Sequence, residues 1–119
     1  MSEQSKPRVE SEDRDGIRWV HIRQRKLGWD VDARALKAAL LEAIQGASRA
    51  VVDFEQVAYL CSSTIGTILS FNRDAWEAGC RIFCYKMQPY VRDTFVTMGL
   101  VGVLNICDTD DDLAELLDT

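Results

Sequence analysis

A single histidine and two prolines leave this 119-residue sequence short of several kinds of chemistry. With only His21, the paired-histidine patterns of zinc sites are excluded. No Ser, Cys or carboxylate stands near it in the chain to make a catalytic pair, so a packed or surface role on a strand is expected. The four cysteines, Cys61, Cys80, Cys84 and Cys107, contain no Cys-x-x-Cys pair. Cys80 and Cys84 bracket a strand, and extended chain does not bring such a pair together on a metal. All four fall in or beside core elements, so they read as reduced thiols, with no metal site. No Gly-x-Gly-x-x-Gly or Walker-type glycine loop follows a strand, and no cofactor is implied.

Positive charge is also scarce. Fourteen Lys and Arg stand against nineteen Asp and Glu, giving a net charge of -5. That balance, with no basic cluster beyond the short Arg23-Gln24-Arg25-Lys26 patch, argues against nucleic acid, whose binding is dominated by phosphate neutralisation, and a basic or neutral protein partner is expected instead. No stretch reaches the roughly 20 apolar residues of a membrane helix. The polar start Met1-Ser2-Glu3-Gln4-Ser5-Lys6-Pro7 lacks a signal-peptide core, so no membrane insertion and a cytoplasmic location are expected.

What is present suits one domain of ordinary composition, with 47% hydrophobic and 28% charged residues. Residues 1–7 are expected to be a disordered tail and 8–119 a single folded unit. Arg8 to Glu12 is a weak edge strand, joined through Asp15-Gly16 to a strand over Ile17 to Ile22 as a hairpin. From Asp32 to Gln45, Leu36, Ala39, Leu40, Ala43 and Ile44 recur at helical spacing, with Asp30 or Asp32 as cap and Gly46 as stop. Ala50 to Phe54 is an apolar run of the buried parallel-strand kind. A helix over about Ser63 to Ala78 would bury Ile65, Ile68, Leu69 and Trp76. The strand Arg81 to Tyr85 follows, then a helix opened by Pro89 and striped with Val91, Phe95 and Met98. A last short strand lies within Val101 to Ile106. Thr109 then caps a helix whose Asp110, Asp111 and Asp112 favour its positive end. Alternation at this spacing predicts an α/β fold: a small, mostly parallel sheet of four to five strands with an N-terminal antiparallel hairpin and about four helices.

The most informative stretch is Val51-Val52-Asp53-Phe54 followed by Tyr59-Leu60-Cys61-Ser62-Ser63-Thr64-Ile65-Gly66. An apolar strand there leads to hydroxyls that open a helix. Ser62 or Ser63 can cap the unpartnered first-turn amides, and a phosphate on either would meet a favourable field.

Together with Pro89-Tyr90-Val91-Arg92, Phe95 and Gly99-Leu100, this turn resembles the STAS domain of anti-sigma factor antagonists. That family typically reads Asp-Ser-Ser-Gly-Leu-Gly at the turn, and the resemblance spans roughly residues 8 to 118. It implies a STAS-like fold and a protein-binding module, not an enzyme. The partner it implies is an anti-sigma factor that is also a serine kinase. By position the phosphorylation acceptor is Ser63, with Ser62 and Thr64 as alternatives, and phosphorylation ends the capture. The partner-binding residues it points to are Cys61, Ser62, Ser63, Thr64, Ile65 and Thr67. Cys61 replaces the family's Asp and Thr64 its Gly.

Those two departures motivate another reading. Family members with degenerate turns include scaffold subunits of stress-signalling assemblies and small subunits of lipid-transport ATPases, which bind partners without this phosphorylation. A constitutive interaction subunit of a larger complex is therefore the alternative, and a homo- or hetero-oligomer stays open. An enzymatic reading would rest on Cys61 as a thiol activated by a helix N-terminus. No His or second Cys is placed by sequence to serve as its base or resolving thiol.

Overall fold

The computed structural model describes residues 6–118. The expected disordered tail falls mostly on residues 1–5, outside the described residues. β1 (Val9–Arg14) and β2 (Ile17–Ile22) form the expected antiparallel hairpin, with Asp15 and Gly16 both at positive φ in its two-residue turn. That geometry matches the right-handed twist of the flanking strands and favours glycine at its second position. β3 (Lys26–Leu27) is followed by α1 (Ala33–Ala43), capped by Asp32, whose carboxylate accepts from the amides of Arg34 and Ala35. β4 (Arg49–Asp53), β5 (Tyr59–Leu60) and α2 (Ser62–Glu77) come next. β6 (Arg81–Tyr85), α3 (Pro89–Thr97), β7 (Asn105–Cys107) and α4 (Asp110–Leu117) complete the chain.

The main sheet has five strands in the order β1-β2-β4-β6-β7, antiparallel only between β1 and β2. This is the expected mixed, mostly parallel sheet with four helices. Alternation along the central strands divides two cores. Ala50 and Val52 of β4 and Ile82 and Cys84 of β6 face one side, where they pack with Leu36 and Leu40 of α1, Ile65, Ile68 and Phe71 of α2, and Val91 and Phe95 of α3. Val51, Phe83 and Tyr85 face the other side with Leu113 of α4. Thr109 and Asp112 make a full capping box that starts α4, as the sequence predicts for a Thr cap ahead of acidic residues.

Several expectations are corrected. Trp76 is 67% exposed instead of buried, and Phe71 and Ala75 take the interior places on α2. The buried stripe is displaced around that helix because α1 packs on its flank, where Lys37 reaches Ser70 and Asp74. Met98 is exposed, since it lies past the last turn of α3. The last strand is Asn105–Cys107; residues 101–104 form the turn leading into it. The short parallel pair β3 and β5 was not expected. His21 is buried, and its Nδ1 meets Asp53 Oδ2 at 2.8 Å across paired strands. The four cysteines are free and buried.

Candidate functional site

Two residues of β5 set the site. Tyr59 and Leu60 pair in parallel with Lys26 and Leu27, so the alternation of a strand turns Leu60 inward and Tyr59 toward solvent. The ribbon hands the chain directly to α2: the Cys61 amide donates to the Leu27 carbonyl at 3.0 Å. Cys61 is thus the N-cap residue, in extended conformation, and Ser62 and Ser63 already lie within the first helical turn. Capping by either serine is therefore corrected. Their hydroxyls sit on the helix surface, one and two residues past the position from which a side chain reaches back to the amides.

Cys61 is 4% exposed and makes no capping hydrogen bond. Its sulfur lies 3.5 Å from Thr64 Oγ1. Burial pushes the thiol pKa up, but the polar first-turn groups of Thr64 and Ser63 beside it outweigh that and hold the thiol below its ordinary value. The cause is the positive end of α2, which favours a thiolate. Thr64, 3% exposed, donates its hydroxyl to the Leu27 carbonyl at 2.8 Å. The branched residue standing in the family's glycine position therefore ties α2 to the β3–β5 ribbon and is not presented to a partner. Thr64 as a surface acceptor is corrected for the same reason.

Of the six residues expected at a partner surface, only Ser62 and Ser63 are exposed. Cys61, Thr64, Ile65 and Thr67 are buried, Ile65 in the main core and Thr67 with its hydroxyl donated to the Ser63 carbonyl at 3.0 Å. A residue that opens a docked helix turns one side to the sheet, and positions 61, 64, 65 and 68 share that side.

Sequence reasoning missed the aromatic surroundings. Tyr59, three residues before Ser62, stacks on Tyr90 of the first turn of α3, with ring centroids 6.0 Å apart and planes inclined by 25°. Tyr90 is 56% exposed and Trp29, two residues beyond Leu27, is 70% exposed. Exposed aromatics of this kind supply large, rigid contact area at protein interfaces. The one available signal was the Tyr59-Leu60 pair, where one side chain must turn outward if the other is buried. Among the described residues no cluster of three His, Cys, Asp or Glu could hold a metal, and no helix is long and apolar enough to cross a membrane.

Comparison with known proteins places this geometry. The family model described as "Mlab, STAS domain" matches residues 29–106. Among solved structures, an anti-sigma-factor antagonist (STAS) domain protein from Planctomyces limnophilus superposes with a TM-score of 0.78 at 15% identity, covering 93% of this chain and 98% of that one. An anti-sigma factor antagonist from Mycobacterium paratuberculosis gives 0.76 at 19% identity, over 95% of both chains. The Bacillus cell fate determinant SpoIIAA in its phosphorylated form gives 0.61 at 19% identity, covering 92% of this chain and 99% of that one. No curated protein sequence matches the chain.

Proposed function

This chain belongs to the STAS-domain family, and on that premise we propose that it is an anti-sigma factor antagonist. In this reading residues 8–119 are one binding domain, working in the cytoplasm without catalysis, that captures an anti-sigma factor with serine kinase activity. Phosphorylation of Ser63 releases that partner. The observation that carries the reading is the pair of exposed hydroxyls, Ser62 and Ser63, in the first turn of α2, three and four residues beyond Tyr59 of the Tyr59–Tyr90 stack.

The physics of the switch follows from position. Ser63 is the second residue of α2, where first-turn amides have no intrahelical partner. A phosphate there carries about -1.5 to -2 charges and is favoured by the helix dipole, by about 0.3–1 kcal/mol at an exposed site. The fold therefore tolerates the modification. A partner packed over the same turn does not, because it would bury an unpaired charge and lose complementarity. Exposure gives a kinase access to Ser63 that the interior Thr64 hydroxyl lacks.

A second reading has its own observation. Cys61 occupies the cap position without a carboxylate, so the cap residue itself supplies no charge to orient the acceptor hydroxyl or the kinase. On that reading the chain is a constitutive subunit of a larger assembly and Ser63 is contact surface only. Incubation with ATP and the cognate anti-sigma kinase, followed by peptide mass spectrometry, separates the two. The switch predicts phosphate on Ser63, abolished in Ser63→Ala. An active kinase that leaves the chain unmodified would remove the switch and favour the constitutive subunit.

A further inference from the structure

The basic run of the sequence has a place in the fold that the serine turn does not explain. Arg23 and Arg25 line an open cleft with Arg8, Gln56, Ala58 and Gln88. The β1–β2 register, in which Val9 faces Ile22, continues one step further: the Arg23 amide donates to the Arg8 carbonyl at 2.8 Å. Arg8 and Arg23 thus stand directly opposite each other on an antiparallel ladder, an arrangement that repels when no anion lies between. Glu10 offsets Arg23, at 3.2 Å. Among the described residues no carboxylate pairs with Arg8 or Arg25, on a chain whose net charge is -5.

Several backbone donors of the cleft are already used. The Arg8 amide donates to the buried Gln24 side chain at 2.8 Å, and the amides of Ala58 and Tyr59 both donate to the Arg25 carbonyl, at 2.7 and 3.2 Å. A single phosphate is held by converging backbone amides, as at a glycine loop or nest. The charged donors here are guanidinium groups carried on extended chain, which suits carboxylates spaced along an extended segment. Ala58 and Gln88 of the cleft lining are one and two residues from the stacked Tyr59 and Tyr90, on which an apolar side chain of that segment would rest.

We propose that this cleft is a second docking surface, which takes an acidic segment of the protein partner with its carboxylates on Arg8 and Arg25. The inference rests on the reading of the chain as a protein-binding module, but on a surface separate from Ser63. The test is a titration of the isotope-labelled full chain, followed by amide and arginine Nε resonances. The probes are a blocked decapeptide of alternating Glu with one central Leu, the same peptide with Gln for Glu, and inorganic phosphate.

The Glu peptide should give saturable shifts at Arg8, Arg25 and Ala58, weakened about tenfold or more in Arg8→Gln/Arg25→Gln, which loses two charge-assisted contacts. The Gln peptide should give none. Ser63→Asp should bind the Glu peptide as the unmodified chain does, so failure of the phosphorylation switch leaves this result standing. Should the double variant not fold, raising salt on the unmodified chain must weaken the Glu peptide by a similar factor. Equal response to both peptides, salt-insensitive binding, or no saturable shift in the cleft would overturn the proposal. Phosphate acting on the same resonances at the peptide's concentration would overturn the assignment to an acidic segment.

Discussion

At position 64 a single hydroxyl donates to the Leu27 carbonyl and faces the Cys61 sulfur, so one side chain joins the start of α2 to the ribbon beneath it. Thr64→Val keeps the shape and removes the donor. The Leu27 carbonyl still accepts from the Cys61 amide, so the expected cost is about 1 kcal/mol, the net worth of one neutral hydrogen bond. Urea denaturation should show that loss, while partner binding stays unchanged because the hydroxyl is interior. At this scale the sequence disclosed that serines open a helix after a strand. Which of Cys61, Ser62, Ser63 and Thr64 turn outward depends on how α2 docks, and a five-residue window carries no such information. The spacing from Ile65 to Ile68 and Phe71 fixes the inward side once the sheet is in place.

Among the elements, β6 was legible to the residue and β5 was not. In Arg81–Tyr85 four apolar, β-branched or aromatic residues follow Arg81 and end at Lys86, shortly after the glycine stop at Gly79, and the strand lies between β4 and β7. Tyr59–Leu60 is too short to have a period, and it becomes a strand only because Lys26–Leu27 lies alongside. Trp76 failed for a related reason: spacing places it near Ile65 on the helix surface, but the packing of α1 moves the buried side away from it.

Burial of β6 has a measurable consequence. Cys84 is pushed up to about 12 by burial, with a smaller contribution from Cys107, against an ordinary value of 9.0. Above pH 9 the unfolded chain therefore releases a thiol proton that the folded chain keeps. The unfolded state binds fewer protons there, so stability falls as pH rises above 9. Denaturant midpoints across that window should show the decline. Cys84→Ala should start from a lower midpoint and decline less steeply.

For the whole molecule, alternation of strands and helices gave the class, the N-terminal hairpin and the mixed sheet, because local periodicity and crossover rules constrain a chain this short to few topologies. What lay beyond local pattern was assembly of the surface. Arg8 joins Arg23 and Arg25 only through the β1–β2 ladder, and Tyr59 joins Tyr90 only when α3 packs beside the ribbon. Ser62 and Ser63 open α2 directly after β5, whose Tyr59 stacks on Tyr90 of α3, and the central question is whether a partner sits there. Affinity capture from the native cell with the unmodified chain, Ser63→Ala and Ser63→Asp tests this most directly. The unmodified chain and Ser63→Ala should recover the same kinase-bearing anti-sigma factor, and Ser63→Asp should lose it. Recovery of one partner equally by all three would contradict a switch at this turn.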